Sequence, residues 1–176
     1  MTRACALLLP AVLALAACSP YPAPIPPPPQ RAPFEADHPQ LLKHHFSMSE
    51  ATAYRYILVG VLPLLGDGGW RWTEKRAIFQ FQLPSTQNLI FNADITVPDV
   101  SFQQTGPVNI TIRIDGHLLD TVHFDRDEKR LYRKPVPAAW LTTARPVQVT
   151  MEIDKLMRTA DNKTWGFIVT SLGFSQ

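Results

Sequence analysis

The sequence predicts an all-β domain, an antiparallel β-sandwich or jelly roll of about seven or eight strands, and three observations carry that prediction. Four separate segments alternate apolar and polar residues with a period of two. An Asp-Gly pair, Asp115-Gly116, stands between two apolar runs, and a two-residue hairpin loop needs positive φ at both of its positions. No apolar stripe at helical spacing extends beyond a single short turn.

The four alternating segments define the expected core. Ala77, Phe79, Phe81 and Leu83 share one face of Arg76 to Leu83, and Leu89, Phe91, Ala93, Ile95 and Val97 share one face of Leu89 to Val97. Val108, Ile110, Ile112 and Ile114 lie opposite Asn109, Thr111, Arg113 and Asp115. Val147, Val149, Met151 and Ile153 repeat the pattern in Val147 to Asp154. Less regular strands are expected at Tyr54 to Leu62, His117 to Phe124 and Gly166 to Phe174, where apolar residues occupy both faces. The Asp-Gly turn makes Val108 to Phe124 a hairpin. Ser47-x-x-Glu50 has the form of a capping box for a short helix, and Pro137 to Leu141 that of a helical turn. The mixed charges of Asp125 to Arg130 read as a solvated turn.

The chain has 176 residues, of which 45% are apolar and 18% charged, with a formal charge of +2. Such a balance belongs to a globular domain, gives no basic footprint for nucleic acid and steers toward no particular partner. Three segments follow from composition: residues 1–17, residues 18–46 and one folded domain over residues 47–176. A domain of that size buries roughly two-thirds of its unfolded surface and needs no disulfide or metal to hold it.

The first segment opens on Arg3 and continues in an apolar run from Ala4 to Ala16, shorter than the roughly 20 residues of a membrane span. It ends in Leu15-Ala16-Ala17-Cys18. These four residues resemble the lipobox of bacterial lipoproteins, a likeness confined to the first 18 or so residues. The resemblance implies cleavage before Cys18, diacylglycerol on its sulfur, acylation of the new amine and anchorage to the cell envelope. In a Gram-negative host, Ser19 after the acylated cysteine implies the outer membrane rather than retention inside. Cys5 leaves with the signal peptide and Cys18 carries lipid, so the mature domain has no thiol for a disulfide, catalysis or a metal.

Nine of the 17 prolines lie between Pro20 and Pro39, four of them consecutive at Pro26 to Pro29. Such a run favours polyproline II, a semi-rigid spacer whose reach from Ser19 to Pro33 is on the order of 45 Å. His38, His44 and His45 follow without a carboxylate at ligand spacing, so no metal site is expected there.

A second resemblance rests on Gly60, Arg71-Trp72, Asp115-Gly116, Val136-Pro137-Ala138 and Asp161-Asn162-Lys163-Thr164-Trp165-Gly166-Phe167. This order is similar to jelly-roll modules that accompany bacterial glycosyltransferases and other glycan-handling proteins, in which an acidic-x-Arg-x-Leu-Gly stretch precedes the final strand. It covers about Tyr54 to Phe174. Lys163 stands where Arg is usual and Trp165 where Leu is usual. The resemblance implies the fold and, by analogy, association with carbohydrate.

No nucleophile elbow, zinc-protease motif or phosphate-cradling glycine loop occurs, and no catalytic residue and no cofactor are expected. Glu74, Asp94 and Glu152 are carboxylates that would have to meet in space to serve glycoside hydrolysis, and each sits on the polar face of an expected strand. Tryptophan carries the binding expectation, because an indole stacks on the C-H face of a sugar while neighbouring donors bond its hydroxyls. Trp72 and Trp165 are expected to be structural and Trp140 to plug one end of the sandwich. Trp70, preceded by Gly66-Asp67-Gly68-Gly69, is the exposed candidate, with Arg71 as its hydroxyl partner. The expected protein is a non-catalytic, membrane-anchored lipoprotein presenting a module for envelope polysaccharide. The alternative is an assembly lipoprotein that binds another envelope protein through a strand edge or apolar patch.

Overall fold

The inward positions of the four alternating segments are all buried, most of them completely, and they form one continuous core. The structure, a computed structural model, describes residues 43–176. The expected signal peptide, Cys18 and most of the proline-rich segment lie outside the described residues. Eleven strands are described: β1 His45–Ser47, β2 Ile57–Leu65, β3 Arg71–Phe81, β4 Ile90–Val97, β5 Val108–Ile114, β6 His117–Phe124, β7 Glu128–Pro135, β8 Val147–Ile153, β9 Met157–Arg158, β10 Thr164–Trp165 and β11 Ile168–Ser175. Eight of them run seven residues or longer, and every pairing is antiparallel. The domain is an antiparallel β-sandwich of the jelly-roll kind.

The long strands follow the order β6-β5-β8-β3-β11-β4-β7, with β2 on β3 and β1 on β11. The order divides at β3, whose C-terminal half ladders to β8 while only Arg71 and Trp72 pair with β11. One layer is β2-β3-β8-β5-β6 and the other β1-β11-β4-β7. Their inner faces meet in aromatic contacts, including an edge-to-face pair of Phe81 with Phe174 at 5.5 Å. Deleting side chains in this core leaves cavities, so Ile112→Ala is expected to cost about 2–5 kcal/mol and the outward Thr111→Ala about 0.5 kcal/mol or less. Urea unfolding of the two variants checks the register, and equal effects would show it to be misread.

The Asp-Gly turn joins β5 to β6 as expected, with φ of 44° at Asp115 and 84° at Gly116. The Asp115 carboxylate accepts from the Gln148 N–H at 2.8 Å and pairs with Arg145 at 2.9 Å, which ties the turn to β8. Glu50 reaches back to the Ser47 N–H at 3.0 Å, and a short 3-10 turn, Ala53–Arg55, follows. A second such turn, Ala138–Trp140, sets the Trp140 ring flat against His117 at 5.1 Å and against the end of the core.

Three elements differ from expectation. Phe46 is fully buried and β1 pairs with β11, so the sandwich takes in residues before Ser47. A helix, α1 Asp99–Thr105, follows β4; of its residues only Ser101 is buried, which is why no apolar stripe announced it. Asp125 to Arg130 is a turn only as far as Asp127, because Glu128, Lys129 and Arg130 open β7 and ladder with β4. The half-buried positions of β7 include Arg130 and Lys134, whose long stems pack while their charges reach polar partners.

Those partners lie on β6, and they close the sandwich. Consecutive strands β6 and β7 belong to different layers and share no ladder. Side chains bridge them instead. Arg130 donates to the His123 carbonyl at 2.9 Å, its guanidinium lies 4.4 Å from the Phe124 ring centre, and Tyr132 and Lys134 both reach Asp120, at 3.1 and 2.9 Å. Burial pushes the Asp120 carboxyl up, but its bonds to Lys134, Tyr132 and the Thr121 N–H outweigh this and hold it below the usual carboxylate range.

Candidate functional site

A second, smaller apolar cluster sits on the outside of the sandwich, built from Trp72, Met157 and Ile168 with Leu62, Trp70 and Trp165 packed around it. It exists because the short hairpin β9–β10 folds over the start of β3. A latch at its base helps to hold it there. The buried Thr73 hydroxyl donates to the Phe167 carbonyl and accepts from the Phe167 N–H, both at 3.0 Å, while the Thr73 carbonyl accepts from the Gly166 N–H at 2.7 Å. A Cβ on Gly166 would stand 2.5 Å from the Glu74 carbonyl oxygen, so only glycine lets the two backbones approach this closely.

Between the hairpin and the outward face of β3 lies an open cleft of about 560 Å³. Leu62, Leu156 and the half-buried Trp165 give it an apolar wall, and Glu74, Lys75, Arg76, Asn162 and Lys163 give it polar groups. Its size falls in the range of small-ligand sites. Lys163 pairs with Asp161 at 2.7 Å; that bond, with a second from Thr159, holds the exposed Asp161 carboxyl down to about 2 and raises the Lys163 amine. Asn162 is held by Arg158, which donates to its side-chain oxygen at 3.0 Å. A half-exposed indole beside a carboxylate, an amide, an amine and a guanidinium can stack a ring and bond its hydroxyls.

The expected candidates lie nearby in different circumstances. Trp70 is half-buried against its own glycine turn and meets Trp72 edge to face at 6.3 Å. Trp72 in turn lies 5.0 Å from Trp165, and of these three indoles Trp165 is the one that lines the cleft. Arg71 uses its guanidinium on backbone carbonyls, donating to Pro63 at 2.6 Å and to Met48 at 3.3 Å, and so ties β2 and the turn after β1 to β3. Trp72 is buried, as expected of a structural residue, whereas Trp165 both packs and faces the cleft. The signal that could have found the cleft is the exposed charged run Glu74 to Arg76 on β3, read together with Asn162 to Trp165.

The three carboxylates considered for hydrolysis do not share one depression. Glu74 lines the cleft, Glu152 lines a neighbouring depression beside Asp154, and Asp94 lies on β4 paired with Lys129 at 2.9 Å. Among the described residues no group of three or more His, Cys, Asp or Glu is arranged to hold a metal ion.

No protein-family model matches the sequence, and no curated protein matches it. Among solved structures, the chain is similar to a family 35 carbohydrate-binding module from Clostridium thermocellum, at 5% identity and a TM-score of 0.44 over 75% of this chain and 98% of that one. It is also similar to the CBM36-1 domain of a multidomain xylanase from the hindgut metagenome of Trinervitermes trinervoides, at 14% identity and a TM-score of 0.38 over 58% of this chain and 72% of that one. A third, a family GH115 4-O-methyl-α-glucuronidase, shows 12% identity and a TM-score of 0.44 over 83% of this chain but 19% of that one. Likeness at this level carries no inference about ligand or activity.

Proposed function

We propose that this is a non-catalytic lipoprotein whose β-sandwich binds envelope glycan in the cleft beside Trp165. The observation that supports the reading is the pairing of a half-exposed indole with Glu74, Arg76, Asn162 and Lys163 in one open depression. Stacking on one indole contributes about 0.5–1.5 kcal/mol beyond burial, so a single sugar binds weakly and a polymer gains by repeated contact. The test is a titration with envelope polysaccharide followed by calorimetry. Trp165→Ala is expected to reduce affinity about twofold to tenfold and, because the ring also packs on Trp72, to lower the melting temperature while leaving the protein folded, and Trp70→Ala to have a smaller effect on binding. A Trp165→Ala protein that folds and binds as the wild type does would remove the reading.

The anchor belongs to the same proposal. Cys18 is its lipidation site, the proline-rich segment its spacer and the outer membrane of a Gram-negative cell its location, all supported by Leu15-Ala16-Ala17-Cys18-Ser19. Several acyl chains, each contributing about 0.8 kcal/mol per buried methylene, hold such a protein at the bilayer. Cys18→Ala is expected to abolish labelling by a fatty-acid analogue, and a variant that still labels and partitions into detergent would refute the lipobox.

One observation favours the assembly reading as the alternative. β2 is an edge strand whose Leu58, Val59, Leu64 and Leu65 are all exposed, Leu64 by 73%. Its irregular register with β3 and its Pro63 break the row of free backbone donors, so an envelope protein would meet side chains there rather than add a strand.

A further inference from the structure

We infer that the cleft takes an acidic polysaccharide, one whose sugars carry carboxylates, and that Lys75 and Arg76 form its anion-binding pair. The inference rests on the glycan reading of the same cleft and adds the class of glycan. Three cations line the cleft, Lys75, Arg76 and Lys163, and they are not equivalent. Lys163 is already neutralised by Asp161 at 2.7 Å. Lys75 and Arg76 appear in none of the salt bridges or side-chain hydrogen bonds among the described residues. Glu152 is the ladder partner of Arg76, yet no ion pair forms between them. Both cations are exposed on β3, and no ion pair among the described residues takes up their charge.

Against these two charges the cleft sets one carboxylate, Glu74, which is also without a salt bridge. Its oxygens accept from neutral hydroxyls and repel a second carboxylate, so an incoming acid group is directed to the side of Lys75 and Arg76. The planar guanidinium of Arg76 presents two parallel donors, the geometry that holds a carboxylate by two bonds at once. The neighbouring depression sets Lys75, which it shares with the cleft, and Arg113 against Glu152 and Asp154, and so carries no net charge. The positive balance is therefore confined to the cleft, where the indole of Trp165 supplies the stacking face.

The experiment is calorimetry on the full-length chain in detergent with trigalacturonate and, in parallel, neutral galactotriose. Charge-assisted bonds favour trigalacturonate by about tenfold, and added sodium chloride erodes that preference because exposed charges are screened. The double variant Lys75→Gln, Arg76→Gln is expected to bind the two sugars alike, and Glu74→Gln to tighten trigalacturonate alone. All three positions are exposed, so melting curves should not move. Equal affinity for both sugars in the wild type, or a preference that survives the double variant, overturns the acidic assignment and leaves the glycan reading standing. Heat from neither sugar overturns both.

Discussion

Gly60→Ala is expected to lower stability by about 3 kcal/mol or more, from a strained backbone and overpacking against a fixed group, and to lower the melting temperature by about 10 °C or more. Gly60 is buried in β2 with φ of 77°, a conformation that side chains with a Cβ rarely adopt. An added Cβ would stand 1.8 Å from the carbonyl oxygen of Arg76 and 2.7 Å from its carbonyl carbon. Backbone cannot swing aside as a flexible side chain can, so β2 must lift from β3. Because Arg76 lines the cleft, the same change should disturb binding even where the protein still folds. Thermal unfolding by circular dichroism checks this, and an unaltered melting curve would mean that β2 does not lie against the Arg76 backbone of β3 as described.

The second large effect lies at the N-terminal end of the described residues. Phe46→Ala is expected to cost about 3–5 kcal/mol, the range for emptying a buried aromatic site. Phe46 is fully buried, stacks on Tyr56 at 4.4 Å and lies 5.7 Å from Phe81 and 6.3 Å from Phe79. A chain cut at Ser47 loses that ring together with the pairs His45–Gly173 and Phe46–Leu172, which expose the edge of β11. A chain beginning at Lys43 should therefore melt well above one beginning at Ser47. Equal melting of the two would show that β1 contributes nothing to the sandwich.

The expected strands that the structure reproduces most cleanly are those whose inward positions are apolar without exception, as in β4, β5 and β8. Legibility failed where a long charged side chain does the work of an apolar one. Arg130 and Lys134 occupy half-buried positions of β7, and a reading based on hydropathy sees there a charged turn. It failed also at α1, which is too short and too exposed to leave a stripe, and at β1, where one buried phenylalanine stands among histidines and a serine.

The cleft was harder to see because its parts are distant in the chain. Glu74 to Arg76 and Asn162 to Trp165 are brought together by the Thr73–Phe167 latch, and no local pattern encodes a contact between a threonine and a backbone 94 residues away. Trp70 drew attention because it follows a glycine-rich turn, the usual mark of exposure. In the structure those glycines make room for its ring: a Cβ at Gly66 would lie 2.2 Å from the indole.

The side-chain bridge between β6 and β7 has a consequence for how the sandwich breathes. Strands in the middle of the order, such as β3 and β8, have neighbours on both sides and exchange their amide hydrogens only when a large part of the fold opens. β6 and β7 each ladder with a single neighbour, and the bonds of Arg130, Tyr132 and Lys134 that span the gap reach one carbonyl and one carboxylate. Protonating Asp120 removes the negative charge that strengthens two of them, and its depressed carboxyl means that this loosening begins only in acid, as pH falls below the value at which an unfolded aspartate would already be taking up its proton. In deuterated solvent at low pH, the free-edge amides of these two strands should gain mass first, while the Thr73 latch on the far side of β3 keeps the cleft closed to exchange.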